Sequence, residues 1–359
     1  MGQVLPFPDR IRADDAPADL PPSSCPNPLF VDWVTIRQVH SPGSLPRFTD
    51  GVVISLNADG VHQWQTDKRC IVEGSFDSRM VLLCDGTTVE YSGNISRWNR
   101  PDNVFGYSFF ETIERINEFV QSFFLPPFTA GELTRYADSG WVWTGARLSR
   151  IDLTMNYFTG SMRNAQALLY KLASHHSGRQ KSSVLPDQIT CTWGYGSRYV
   201  SQKVYLKAKE LEVHKKKRSG KHVDPQVIEW CKSIGMMREE ITLKSRFLTQ
   251  NSLAYLGAIK EDHLMSVYRA RSQIKNLPET TLSESQSLSS AAAGTYSRWE
   301  KGEPLGLTRR TFYRHRQEIL KKLGVDISII RNVVHMKQPV QVIEVQPMVA
   351  PEWYRDKFG

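Results

Sequence analysis

Tyr205, Lys207 and Glu210 stand close together in the stretch TWGYGSRYVSQKVYLKAKELEVHKKKRSGK, which runs from Thr192 to Lys221. A phenol, an amine and a carboxylate at this spacing suit the breaking of a phosphodiester by transesterification. That reaction needs a nucleophile, a positive centre to offset charge on the phosphoryl oxygens, and in-line placement. Tyrosine supplies the nucleophile, but with an ordinary pKa of about 10 it must be activated or lose its proton in the transition state. Alternate residues of an extended strand share a face, so the Lys207 ammonium is expected beside the phenol. Glu210 is a candidate base or metal ligand. Asp152 and Glu240 add hard oxygen donors suited to Mg²⁺ or Mn²⁺, which would coordinate the scissile phosphate as a Lewis acid. Each residue also has a plainer reading: a half-buried tyrosine on an edge strand, and carboxylates in surface ion pairs with neighbours such as Arg150 or Arg238. Their joint occurrence is what favours chemistry.

The elements that must position these residues follow one another clearly. RLSRIDLTMNYF, from Arg147, alternates as a strand with Ile151, Leu153 and Met155 on one face and Arg150, Asp152 and Thr154 on the other. A helix follows, capped by Ser161 and closed by Gly178. Strands around 188–193 and 199–207 are joined through Gly194-Tyr195-Gly196. A helix opened by Asp224 and Pro225 leads to a strand from Met237. The order β-α-β-β-α-β is that of the ferredoxin-like split βαβ unit. In its usual stacking the first and third strands are central and the fourth flanks the first, so the strands bearing Asp152, Tyr205 and Glu240 are expected as neighbours.

Upstream, residues 30–39 read as a strand, and turns at Asp59-Gly60 and Asp85-Gly86 mark further strands. Phe109, Ile113, Ile116, Phe119, Val120 and Phe123 have helical spacing until Pro126 closes it. The fold class expected is α+β: a ferredoxin-like core sheet with additional N-terminal strands and a helical C-terminal domain. Residues 1–28, rich in Pro, Asp and Ala, read as a disordered lead-in, 29–250 as the α+β nicking-joining endonuclease domain and 251–359 as the helical domain. A Ser- and Glu-rich linker from Asn276 precedes a helix-turn-helix pattern. In it Thr308 caps a helix whose packed stripe is Phe312, Arg316, Ile319, Leu320 and Leu323, with Arg309, Arg310, Arg314 and His315 near its start and outer face. A basic amphipathic helix packed on the main domain is the other reading.

The net charge of +9 and the pI near 9.2 favour a polyanionic partner, because the excess is concentrated. Nine Lys or Arg lie between Arg198 and Lys221 against Glu210 and Glu212, and seven between Lys301 and Leu323 against Glu303 and Glu318. Arg198, Lys203, Lys215, Lys216, Lys217 and Arg218 are therefore candidate DNA contacts, as are Arg309, Arg310 and Arg314. The five cysteines are odd in number, widely spaced and without a C-x-x-C pair, so they read as thiols in a reducing compartment. With no signal-peptide pattern and no run of about 18 apolar residues, a soluble protein that is neither exported nor membrane-bound is expected. There is no P-loop, and no His-hydrophobic-His pair for a two-histidine metal centre. His175-His176 reads as a helix-end pair. His176-Ser-Gly-Arg179 keeps a tyrosine-recombinase arrangement open as a rival.

VDWVTIR at Val31, NVFG at Asn103, SRIDLT at Ser149, the TW, SR and YLK..EL pattern from Thr192, the strand from Arg238, FYR at Phe312 and PEWY at Pro351 occur in one order. In this the chain resembles the replication initiators of filamentous phages, the gene two protein type, over most of its length. The resemblance implies nicking of the plus strand of supercoiled replicative-form DNA at the phage origin. Tyr205 would become joined to the 5′ phosphate, leaving a 3′ hydroxyl for the host DNA polymerase, and the displaced single strand would later be cut and rejoined. A host helicase would unwind the duplex, in keeping with the missing P-loop, in the cytoplasm of the bacterial host. Asp152 and Glu240 match acidic positions that look metal-binding in such proteins, and Lys207 and Glu210 fall in the YLK..EL motif. Asp32 also matches, without an assigned role. A non-catalytic origin- or operator-binding protein acting through 305–323, and a metal-independent tyrosine recombinase, are the alternatives.

Overall fold

The computed structural model describes residues 27–41, 43, 45–136, 140–173, 182–184, 190–217, 223–275, 288–323, 325–328 and 345–358, the side chains at 182–184, 214–217 and 358 excepted. Strand β1 (Phe30–Val39) is rich in β-branched residues and buries Val34 and Ile36 on one face, leaving Trp33, Thr35 and Arg37 on the other. Next come β2 (Arg47–Phe48), a separate hairpin of β3 (Val52–Leu56) and β4 (His62–Asp67), and β5 (Cys70–Glu73). β6 (Arg79–Asp85) and β7 (Thr88–Gly93) pair across the expected turn, where the Asp85 carboxylate accepts from the N–H groups of Thr87 and Thr88 and Gly86 takes a φ of 95°. Ser108 caps α1 (Phe109–Gln121), whose apolar stripe packs on the sheet. β8 (Leu133–Tyr136) and β9 (Gly140–Trp143) form another separate hairpin.

The central strand β10 (Arg147–Phe158) is followed by α2 (Met162–Ala173), β11 (Ser182–Val184), β12 (Thr190–Trp193) and β13 (Val200–Leu206). Then come α3 (Lys207–Lys217), α4 (Pro225–Ser233), capped by Asp224, and β14 (Met237–Lys244). The chain ends through α5 (Ser245–Gln250), α6 (Glu261–Arg271), α7 (Ser290–Glu300), α8 (Arg309–Leu323), β15 (Gln346–Met348) and α9 (Glu352–Phe358). The main sheet runs β11-β12-β13-β14-β10-β1-β7-β6-β2, with β5 on β6 and β15 on β10.

The mixed α+β class is as expected, but the ferredoxin-like order is not what forms. That order would place β10 between β13 and β14, whereas β14 lies between β13 and β10. The connection explains the difference. α3 and α4 pack together and return to where they left, and the Lys207 N–H donates to the Met236 carbonyl at 3.1 Å. The returning chain therefore pairs antiparallel with the strand before it, and no crossover is made. The strand expected to reach residue 207 ends at Leu206, and the strand from Met237 gives way at Ser245 to α5, which turns Phe247 and Leu248 into the core.

One face of the sheet carries the main core, where Ile151, Leu153, Val204 and Ile241 meet α1, α2, α5 and α6. Part of the opposite face is covered by α3, α4 and α9 through Leu211, Ile228, Cys231 and Tyr354 packing on Phe30, Val104 and Phe105. Leu253, Leu264 and Tyr268 belong to the main core, so a division after residue 250 would run through one packed unit. α7 and α8 build a separate cluster from Ala292, Tyr296, Trp299, Ile319 and Leu323. His315, expected on the outer face of α8, is buried there. Its Nδ1 is 2.8 Å from Thr295 Oγ1, while Arg316, expected in the packed stripe, turns to Asp326 in a two-bond ion pair. Apart from residues 27 and 28 the expected lead-in lies outside the described residues, as do 276–287 of the linker and His175, His176 and Arg179. Among the described residues no helix is long and apolar enough to cross a membrane.

Candidate active site

The register of three strands assembles the site. Tyr205 on β13 lies opposite Arg238 on β14, and Lys203 opposite Glu240. Glu240 in turn faces Thr154 on β10, Asp152 faces Thr242, and on its other side Asp152 faces Trp33 of β1. Because strand side chains alternate, Lys203, Tyr205, Arg238, Glu240, Asp152, Thr154 and Asn156 all project from the face opposite the main core.

The Tyr205 phenol donates to Glu240 Oε1, and Lys203 Nζ lies 2.7 Å from the other carboxylate oxygen. Lys207 reaches the phenol by a route different from the one expected. It is the first residue of α3, not a strand residue, yet the helix starts so close to Tyr205 that its Nζ sits 5.9 Å from the ring centre. That ammonium, fully buried, donates to Asn103 Oδ1 at 2.9 Å and pairs with Glu210 at 2.9 Å. The Asn103 amide donates to Asp32 Oδ1 at 3.0 Å, and Asn94 donates to the same oxygen at 2.9 Å. Arg238 donates from Nε to Asn156 Oδ1 at 2.9 Å, donates to the Asn103 carbonyl at 2.7 Å, and lies 3.9 Å from Asp32. Arg150 donates to Asp152 from Nε at 2.8 Å and from Nη2 at 2.5 Å, and its guanidinium lies 4.9 Å over Trp33. The ion pair with Arg150 thus exists, but its carboxylate is buried and not on the surface.

Burial, then the charge of Glu240, pushes the Tyr205 phenol well above the ordinary tyrosine range. Burial raises Asp32, with Glu240 adding to the rise, and it raises Asp152 against the pull of Arg150. Glu240 behaves differently: burial alone would raise it, but Lys203 and Arg238 hold it below its ordinary value, which favours the carboxylate form that accepts the Tyr205 hydrogen bond. Lys207 is lowered by burial and by Arg238, with Glu210 opposing.

These groups also bear on a divalent cation. Asp152 and Glu240 commit their oxygens to Arg150, Tyr205 and Lys203, and among the described residues no three His, Cys, Asp or Glu side chains converge as a ready cluster. The donor chemistry nevertheless fits a hard cation. Burial, with the charge of Glu240 adding to it, raises Asp32 and Asp152, and a cation among them would offset both; the buried Thr154 hydroxyl on the same face has no hydrogen-bond partner among the described residues.

Of the candidate DNA contacts, Arg198 is exposed beside the Gly194–Gly196 turn, and Arg309, Arg310 and Arg314 are exposed on α8. Lys203 is instead engaged with Glu240. Lys215, Lys216 and Lys217 lie in α3 with their side chains outside the described residues, and Arg218 is wholly outside them. Sequence reasoning missed the parts played by Asn103, Asn156 and Thr154. Asn156 and Thr154 share the alternation of Asp152, a signal that was present; Asn103 sits in a loop where no periodicity marks it.

The chain matches the family described as Replication-associated protein G2P N-terminal over residues 30–262, and that described as Replication-associated protein G2P C-terminal over 282–358. Replication-associated protein G2P of Enterobacteria phage I2-2 is 26% identical over 357 residues, covering 90% of this chain and 96% of the relative. The protein of that name from Escherichia phage If1 is 26% identical over 315 residues, covering 75% and 95%. A solved structure, the rolling circle replication initiator protein from Geobacillus stearothermophilus, aligns with 63% of this chain and 78% of its own at 13% identity, with a TM-score of 0.25.

Proposed function

Because the chain belongs to the G2P family of replication-associated proteins, we propose that it is a site-specific single-strand DNA endonuclease and strand-transferase that starts rolling-circle replication of a filamentous phage genome. The observation that carries this reading is the buried phenol of Tyr205 hydrogen-bonded to the Glu240 carboxyl group amid Lys203, Lys207 and Arg238. Glu240 takes the phenolic proton as Tyr205 Oη attacks phosphorus. The P–O3′ bond breaks, the departing 3′ oxygen takes up a proton, and a 5′-phosphotyrosine and a 3′ hydroxyl result. Lys207 and Arg238 offset the charge that builds on the phosphoryl oxygens. Rejoining is the same step in reverse, with a 3′ hydroxyl attacking the tyrosyl phosphate.

Asp152 and Glu240, with Asp32 and the Thr154 hydroxyl beside them, would hold Mg²⁺ or Mn²⁺. When bound, the ion would supply Lewis-acid polarisation of the scissile phosphate. Arg198 and the exposed arginines of α8, with Lys215, Lys216, Lys217 and Arg218, would hold the backbone of origin DNA, and α7–α8 would read the origin duplex. Host helicase and DNA polymerase in the bacterial cytoplasm would act on the nicked product.

The test is peptide mapping of the covalent adduct formed on supercoiled origin DNA. The expected adduct is on Tyr205 through a 5′ phosphate and is lost with EDTA. A metal-independent 3′ linkage would instead identify a tyrosine recombinase. Origin binding with no adduct at all would identify a non-catalytic binding protein.

A further inference from the structure

On the same sheet face as Asp152, towards the other end of the β1–β10 pair, lies a groove of about 370 Å³ lined by Arg37, Tyr136, Val142, Trp143, Arg147 and Tyr255 among others. We propose that this groove binds unpaired bases of the single-stranded DNA running to or from the cleavage site. The proposal rests on the nicking reading and adds to it a second, non-catalytic DNA site.

Register connects the two places. Arg37 lies opposite Arg147, Thr35 opposite Arg150 and Trp33 opposite Asp152. The irregularity between Thr35 and Ile36 absorbs Ser149, so Leu148 and Ile36 stay in the core while Arg147, Arg150 and Asp152 share the open face. Four register steps separate Arg147 from Asp152, or roughly 13 Å at about 3.3 Å per residue.

The groove's chemistry is that of a single-strand site. Arg37 and Arg147 face each other across adjacent strands, a like-charge arrangement that is unfavourable by itself. Glu90 stands opposite Arg37 on β7 but is held by Arg69 at 2.8 Å, and no carboxylate lines the groove itself, so an anion between the two guanidinium groups would relieve the repulsion. The Arg147 guanidinium lies 6.0 Å over the Tyr255 ring, and the Tyr136 side chain is 49% exposed on the β8–β9 wall. Trp143 packs directly on Gly257, where an added Cβ would come within 2.3 Å of the indole. Aromatic faces for bases, interleaved with guanidinium groups for phosphates, are what single-strand binding uses. The Arg150–Trp33 pair repeats the arrangement between groove and Asp152. A space of this size admits a base and its sugar but not a duplex.

The experiment uses the full chain and compares the affinity for a labelled oligothymidylate of about 20 nucleotides with that for origin duplex, by fluorescence anisotropy at one salt concentration. In Tyr136→Ala and in Arg37→Glu the single-strand to duplex affinity ratio should fall on the order of tenfold. Arg79→Glu, the same charge change at an exposed ion pair with Glu73, should leave the ratio as in the wild type. A 5-iodouracil oligonucleotide should photocrosslink to the peptide carrying Tyr136 or Trp143. A ratio unchanged in both groove variants, or shifted equally by Arg79→Glu, would overturn the proposal. A Tyr205 adduct with an unchanged ratio sinks the groove alone. A groove-dependent ratio with no adduct sinks the nicking reading and leaves the groove standing.

Discussion

Lys207→Met removes the one fully buried ammonium beside the phenol. The Lys207 Nζ holds Asn103 and Glu210, each at 2.9 Å, and through Asn103 it is tied to Asp32. Taking one partner from a buried pair costs about 3–5 kcal/mol. Here the Glu210 side chain is 24% exposed and recovers some hydration, and the variant no longer buries a charge, so a loss of about 2–3 kcal/mol is expected. At about 2–4 °C per kcal/mol for a unit of this size, the midpoint of thermal unfolding should drop by about 4–12 °C. The loss should also depend on pH. The folded-state pKa of Lys207 is lowered below the ordinary 10.5, so between those two values the unfolded chain binds more protons and wild-type stability rises with pH. The deficit of Lys207→Met should therefore widen as pH is raised towards 10.5. Single-turnover nicking should slow by about 10²-fold or more, since a positive centre next to the phosphoryl group is gone. Scanning calorimetry from neutral to alkaline pH together with the nicking assay checks both. An unchanged midpoint, or a deficit that stays flat with pH, would refute this account of how Lys207 is held.

Tyr205→Phe should abolish the protein–DNA adduct, leave duplex origin affinity within about twofold, and lower stability by about 1–2 kcal/mol for the lost buried hydrogen bond. An adduct that persists would move the nucleophile to another residue, Tyr195 or Tyr199 being the nearby choices, and denaturant titration reads the stability term. Glu240→Gln should destabilise at neutral pH. The folded pKa of Glu240 lies below 4.5, so its contribution is complete above 4.5 and is lost as pH falls through the folded value. Urea unfolding at neutral pH and at about pH 3 should show the deficit shrinking on acidification, and equal deficits would contradict the pairing with Lys203 and Arg238. Arg309→Ala and Arg310→Ala should each flatten the log-affinity against log-salt slope for duplex DNA by about 0.9 if each contacts one phosphate; an unchanged slope would remove α8 from the DNA interface.

Much of the site was legible before any tertiary information. The alternation of RLSRIDLTMNYF placed Asp152 and Thr154 together, away from Ile151 and Leu153, and the structure keeps that division. The strands of Tyr205 and Glu240 were expected on either side of the Asp152 strand; in the observed order they are direct neighbours, and the two side chains meet. The order was misjudged because β-α-β-β-α-β records succession and not adjacency. Whether a helical excursion crosses over or returns depends on how α3 and α4 pack against each other. On α8, either His315 or Arg316 satisfies helical spacing, and the choice fell to partners elsewhere in the chain, Thr295 and Asp326.

The amino-acid sequence by itself determined which residues could share a strand face or a helix stripe, where the turn at Asp85-Gly86 falls, and which helix Asp224 caps, because these depend on contacts a few residues long. Only the tertiary structure decided that Asn103 joins Asp32 to Lys207, partners 71 and 104 residues away, and that Lys203 turns to Glu240. It also set Arg37 against Arg147 beside an aromatic wall. Burial made those choices. A charge taken out of water must find a partner wherever the packed chain brings one, and no local spacing encodes that position.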